Sequence, residues 1–260
     1  MYGKQTYKQL ALHYNISPKT VQRKLDEYKL CLPSVNKIPS GGVVIMDSTY
    51  FGRGYGIMVF KDAATKIVLN ITFIKNETIA LYLSGLSDIE NSGYKLQAVV
   101  CDGRKGLLSA LNRVPVQMCN FHQVAIITRY ITRNPRMQAA KELRTIAHTL
   151  VRTDKESFVG MLNDWFKTWS AFLNERSINH QTGKSQYTHK RLRSAYRSLL
   201  TNLPWLFTWY DNMKLNIPNT TNLLEGSFTD LKNKLRNHNG LNRNRKSKFI
   251  IEFFKVLPKR

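Results

Sequence analysis

Apolar positions first recur at helical spacing near the N-terminus. Tyr7, Leu10, Ala11 and Tyr14 fall at i, i+3, i+4 and i+7, and Val21, Leu25 and Tyr28 make a second short stripe. Asn15-Ile16 separates the two, Ser17 is a good N-cap, and Pro18 suits the first helical position. Lys19, Gln22, Arg23 and Lys24 lie off the second stripe. Residues 1–30 are therefore predicted as a helix-turn-helix whose basic second helix suits a DNA major groove. An ordinary helical hairpin shares the pattern.

Residues 31–42 carry Pro, Ser and paired Gly and are expected to be a linker. The pattern then changes to short apolar runs. Val43-Val44-Ile45-Met46 is a strand ending at Asp47, and Tyr55–Phe60 and Lys66–Ile74 extend it into an antiparallel meander. Glu77–Asn91 is a helix, with Ile79, Leu83, Leu86 and Ile89 at helical spacing. Leu96–Cys101 is a near-continuous apolar strand ending at Asp102, the sign of burial on both faces. Gly106–Asn112 is a short helix and Val114–Cys119 a last strand. Gln123 to about Lys214 is helical throughout, and another helix from about Asn222 bears Glu225. His238-Asn239-Gly240-Leu241 breaks that helix, and Asn242–Lys248 is expected to be a basic loop. The order predicts an α/β fold in three parts: a mixed-sheet core over 43–122, an all-helical stretch over 123–215, and a segment 216–260 with the Glu-bearing helix and a basic tail.

Composition narrows the function. The 260 residues carry a formal net charge of +23, and 42% are hydrophobic, enough for a packed core. The charge is uneven: +2 over residues 40–122, and +9 over 232–260. A near-neutral segment flanked by basic ones suits a metal site among phosphate-gripping surfaces. No run reaches the ~20 apolar residues of a membrane span. The first residues lack an apolar signal region, and three cysteines, Cys31, Cys101 and Cys119, argue for a reducing compartment, so a cytoplasmic location is expected.

Asp47 and Asp102 end strands separated by a helical crossover. Parallel neighbours would present both at one carboxyl edge. With Glu225 they would offer oxygen ligands for divalent metal ions, and two such ions stabilise the attacking and leaving oxygens of phosphoryl displacement. Each acid also has a structural explanation. Asp102-Gly103 is a turn dipeptide, and Asn222-x-x-Glu225 fits a capping box with Glu225 reaching back to the cap. Cys119-x-x-His122 is half of a zinc pattern, but the second half is missing, so a closed structural zinc is not expected. Trp165/Trp169 and Trp205/Trp209 are pairs at i, i+4, which favours core packing over base stacking. Arg191, Arg193 and Arg197 near them are candidates for phosphate contact, as are Lys232 and Arg236 on one helical face and Arg243, Arg245 and Lys246 in the tail.

The ordered set Met46-Asp47-Ser48-Thr49-Tyr50-Phe51, Cys101-Asp102-Gly103-Arg104-Lys105-Gly106, Cys119-x-x-His122 and Thr221-Asn222-Leu223-Leu224-Glu225-Gly226 resembles the Mutator-like transposases, including bacterial insertion-sequence members. The resemblance covers roughly residues 43–256. It implies an RNase H-like core interrupted by a helical insertion, with Asp47, Asp102 and Glu225 as a catalytic triad binding two Mg²⁺ ions, for which Mn²⁺ can substitute. It implies cleavage at the element's terminal inverted repeats, then strand transfer into target DNA by a homo-oligomer on the bacterial nucleoid. Arg104 and Lys105, beside Asp102, join the expected DNA contacts. The N-terminal segment is short for that group, which points to a compact or truncated copy. A catalytically silent, transposase-derived DNA-binding protein and a metal-dependent nuclease without strand transfer remain open.

Overall fold

The structure is a computed structural model that describes residues 5–28, 39–179, 181, 183–238 and 240–256. Cys31, most of the expected linker, Asn239 of the expected helix break and the last tail residues lie outside these.

Two short helices come first, α1 (Tyr7–His13) and α2 (Pro18–Glu27). Thr6 and Gln9 close a capping box on α1, and the Ser17 hydroxyl accepts the Thr20 N–H to start α2. Asn15 turns the chain between them at φ +50°. Ala11 and Val21 are buried, whereas Tyr14 of the expected apolar stripe is 65% exposed.

The centre is a five-stranded sheet of order β3-β2-β1-β4-β5, formed by β1 (Gly41–Tyr50), β2 (Gly56–Asp62), β3 (Val68–Ile74), β4 (Lys95–Cys101) and β5 (Val116–Met118). β1, β2 and β3 pair antiparallel, as the meander predicts, while β4 runs parallel to β1 and β5 parallel to β4. Helix α3 (Ile79–Asn91), capped by Thr78, makes the crossover to β4, and a single turn, α4 (Leu107–Ala110), precedes β5. Gly85 lets α3 lie on the sheet: a Cβ there would meet the buried Phe60 ring at 2.2 Å.

The segment after β5 holds α5 (Asn120–Ile131), α6 (Gln138–Thr149), α7 (Lys155–Asn174), α8 (Lys190–Leu206) and α9 (Thr208–Asp211), then one 3-10 turn. It is not helical throughout. A hairpin of β6 (Arg176–Ile178) and β7 (Ser185–Tyr187) interrupts it, because residues 176–187 lack an apolar stripe and Gly183 closes their turn at φ +65°. Two helices are the last described elements, α10 (Asn222–Arg236) and α11 (Arg243–Val256). The expected basic loop at 242–248 is thus mostly helix; Asn242 Oδ1 accepts the Arg245 N–H at 2.9 Å and starts it.

Alternation along the strands splits the core into two layers. Val44, Met46, Met58 and Phe60 face α3 and the helices of 120–206. Val43, Ile45, Ile57, Val59, Ala98 and Val100 face α10 and α11, where Leu224, Phe228, Leu231, Phe253 and Phe254 cover them. Apolar cover on both sides explains the continuous apolar runs of β1 and β4. Among the described residues no helix is long and apolar enough to cross a membrane.

Candidate active site

Asp47 is not at a strand end. β1 runs on to Tyr50 because Ser48, Thr49 and Tyr50 keep their pairing with β2; what stops near Asp47 is the parallel partner, β4. Asp102 does follow the last residue of its strand, Cys101. The register then carries the argument. Val43 pairs with Ala98 and Ile45 with Val100, so the next step of the same parity brings Asp47 beside Asp102. Asp47 thereby falls on the sheet face of Val43, Ile45, Ala98 and Val100, which α10 covers, and both Asp102 and Glu225 act on its carboxyl. Glu225 lies in the first turn of that helix.

Helix α10 also answers the capping alternative. Its N-cap is Thr221, not Asn222, and no side chain caps it. Glu225 is therefore one residue beyond the position a capping box requires. Its carboxylate instead accepts the Thr221 hydroxyl at 3.4 Å and lies 3.7 Å from His122 Nε2.

The site is rich in negative charge, and Asp47 is its most buried acid. Asp47 is 8% exposed, and its Oδ1 accepts the Ser48 N–H at 2.8 Å. Burial first, with Asp102 and Glu225 adding repulsion, pushes its carboxyl up to about 7; His122 opposes the rise. Asp102 is also raised, by burial and then by Glu77, although the Arg104 N–H donates to its Oδ1 at 3.2 Å. The nearby Cys119 sulfur, then Asp47 and Glu225, outweigh burial and push His122 up to about 9. Burial works upward on the Cys119 thiol, but His122 and Thr221 bring it below its ordinary value. His122 Nδ1 is buried with no hydrogen-bond partner among the described residues. Cys119, His122 and Glu225 place a sulfur, a ring nitrogen and a carboxylate oxygen within 4.8 Å of one another.

Two groups at this site, Glu77 and Thr221, are not marked as site residues by the motifs. Glu77 accepts the Tyr82 hydroxyl at 2.6 Å and pairs with Arg104 at 3.3 Å. Thr221 begins the Thr221–Gly226 motif, and its hydroxyl reaches Glu225 at 3.4 Å. Only Thr221 had a usable sequence signal, its place four residues before Glu225; Glu77 reads as an ordinary residue at a helix start.

A model of the transposases of the Mutator family matches residues 36–238. The chain belongs to the Mutator family of transposases. A comparison with curated proteins finds no match. Among solved structures the chain is similar to one in the simian T-cell lymphotropic virus intasome in complex with PP2A regulatory subunit B56 gamma, at 17% identity and a TM-score of 0.24. The match covers 58% of this chain and 66% of that one, and a score so low carries no argument.

The remaining candidate residues of this Mutator-family chain are spread around the core. Lys19, Arg23 and Lys24 are exposed on α2 and Gln22 is half-buried. Arg104 is held by the Glu77 carbonyl at 2.6 Å, and Lys105 is exposed next to it. Arg193 donates to the Leu173 carbonyl at 2.9 Å and stacks 3.6 Å over Tyr187, and Arg191 donates to the Arg129 carbonyl; Arg197 is exposed. Lys232 is half-buried and Arg236 exposed on α10. Arg243 lies over Tyr55, and Lys246 is half-buried on α11. Arg245 forms a two-pronged pair with Asp26 of α2, both bonds 2.7 Å.

The indoles pack. Trp165 is 4% exposed and donates to the Ala139 carbonyl at 2.9 Å; Trp169 donates to Glu142 at 2.7 Å. Trp205 and Trp209 do not share a helix face, because α8 ends at Leu206. Trp205 packs with the first core layer and Trp209 with the second.

Proposed function

We propose that this Mutator-family chain is a DDE transposase that cleaves the ends of its element and joins them to target DNA. The observation that carries this is the juxtaposition of Asp47 on β1 with Asp102, which follows the parallel neighbour β4, and with Glu225 on the covering helix. Three antiparallel strands followed by two parallel ones support an RNase H-like core made of residues 43–122 and 216–260, with 123–215 as its insertion.

The donor set suits hard divalent ions. Asp47, Asp102 and Glu225 supply carboxylate oxygens, and the upward push on Asp47 and Asp102 marks a site short of positive charge. These three would hold two Mg²⁺ ions, or Mn²⁺ in their place. Bound there, the metals supply activation of water and stabilisation of charge on the phosphodiester oxygens. The protein's own part is to hold three carboxylates together and to keep His122 beside them. The exposed basic side chains of α2, with Lys105 and Arg197, would grip phosphates, so affinity for element ends should fall steeply with salt. Two ends held together call for a homo-oligomer.

The test is a cleavage and strand-transfer assay on the element's end sequence with Mn²⁺, comparing wild type with Asp47→Asn, Asp102→Asn and Glu225→Gln. The expected result is loss of both steps in all three variants, with end binding kept. Glu225→Gln that still cuts would remove the triad. Wild type that binds ends without cutting would be a silent DNA-binding protein, and cutting without joining would leave a nuclease.

A further inference from the structure

The C-x-x-H spacing has a structural use that the triad does not absorb. Cys119 is the N-cap of α5 and Thr221 the N-cap of α10, 102 positions apart in the chain. Both are fully buried. The Thr221 N–H and the Thr221 hydroxyl each reach the Cys119 sulfur at 3.3 Å. Cys119 is in turn tied to the strand of Asp102, its N–H donating to the Cys101 carbonyl at 2.8 Å. On its other side the Thr221 hydroxyl reaches Glu225 Oε1 at 3.4 Å, and His122 Nε2 approaches the same oxygen at 3.7 Å. A continuous polar chain thus joins β4, one residue before Asp102, to the carboxylate of Glu225.

Apolar packing alone would not aim that carboxylate. Leu224, Phe228 and Leu231 fix which side of α10 meets the sheet, but a ridge of similar side chains tolerates small rotations. One residue of register is about 100° of rotation, so a fraction of a turn carries Glu225 away from Asp47 and Asp102. One directional bond from the Thr221 N–H onto the sulfur and one from its hydroxyl onto the carboxylate remove that freedom. The hydroxyl has a single proton and two acceptors. Because the Thr221 N–H already serves the sulfur, that proton is available to the carboxylate. His122, at the third position of the α5 helix, lies one turn beyond Cys119 on the same side. The spacing of the motif therefore suits one residue that anchors the α10 N-terminus and another that flanks its acid.

We propose that Cys119, Thr221 and His122 form a clasp that sets the rotation of α10 and aims Glu225 at the two aspartates. They are positioning residues, and the proposal rests on Glu225 being a metal-holding acid. It also gives Cys119 and His122 a use in which no zinc takes part.

The experiment is Mn²⁺ titration of the full chain at fixed pH, read by calorimetry, with melting temperature measured in parallel. The variants are Thr221→Val, Thr221→Ser, His122→Gln, Glu225→Gln and the double variant Thr221→Val/Glu225→Gln. Thr221→Val should weaken Mn²⁺ binding about tenfold, the lower end of what outer contacts contribute to metal affinity. Thr221→Ser should stay within about twofold of wild type, and His122→Gln, which keeps a donor, should fall between the two. In the double variant the loss should be no greater than in Glu225→Gln alone, because the clasp acts through that acid. A role in stability only would lower the melting temperature and leave affinity unchanged. That result, or additive losses in the double variant, overturns the clasp while Glu225→Gln alone still loses Mn²⁺. Glu225→Gln binding Mn²⁺ like wild type overturns the clasp together with the triad. One zinc per chain in purified wild type, lost in Cys119→Ser, would also overturn it, as a structural zinc site.

Discussion

Replacing Asp47 with Asn should stabilise the fold above neutral pH while abolishing catalysis. Asp47 is 8% exposed, and burial with two acidic neighbours moves its carboxyl from an ordinary 3.8 to about 7. A carboxyl raised on folding binds its proton more tightly in the folded state. Stability therefore falls as pH rises from about 4 through about 7, and the penalty is complete above that. Three pH units at 1.36 kcal/mol each make it about 4 kcal/mol. His122 has the opposite character. Its pKa is raised to about 9, so its contribution is complete below 6.5 and fades as pH rises through about 9. Removing the Asp47 charge takes away one of its partners, which leaves a net gain of roughly 1–4 kcal/mol at pH 8. Asn keeps an acceptor for the Ser48 N–H, so no hydrogen bond is lost. Urea unfolding of wild type and Asp47→Asn at pH 4 and pH 8 measures this. The two should agree at pH 4, where Asp47 is neutral, and separate at pH 8 with the variant more stable. A variant equal to or weaker than wild type at pH 8 would show that Asp47 does not bear a buried charge beside other acids.

Other regions yield further expectations. Gln117 is fully buried and bonds the Met118 and Leu206 carbonyls, Asn120 and the Trp209 N–H, so Gln117→Leu should cost about 2–4 kcal/mol by orphaning them, measured by urea unfolding. Trp165→Ala should cost about 3–5 kcal/mol, whereas Trp165→Phe should fold and bind end DNA like wild type; weakened DNA binding in that folded variant would return the indole to a stacking role. Arg245→Ala breaks the pair with Asp26 and should speed hydrogen exchange in α1 and α2 without changing exchange in β1 and β4. Unchanged exchange in α1 and α2 would mean that Lys248, bonded to the carbonyls of Leu25, Asp26 and Tyr28, holds them by itself.

Local pattern was a reliable guide wherever one physical cause dominated. β4 is apolar because both its faces are covered, and α2 starts at Ser17-Pro18 because a cap and a fixed φ agree there. It misled where a partner strand or a single turn residue decided. β1 outlasts its apolar run because β2 continues to pair with it, and the 176–187 hairpin depends on a turn that helical neighbours disguise. Arg193 and Arg245 read as free cations along the chain, yet each is spent on a structural partner far away in sequence.

The ordering of Asp47, Asp102 and Glu225, with basic segments around them, was visible in the residues because chain order and composition are properties of the string itself. Their mutual placement was not. Parallel pairing of β1 and β4, the face that α10 covers, and the contact between Cys119 and Thr221 join positions tens to more than a hundred residues apart. Such contacts arise from packing of the whole core, and side-chain spacing along one element carries no record of them. The same packing placed Glu225: with Thr221 as the N-cap, the acid lies one position too far along to cap its own helix, beside Thr221 and His122.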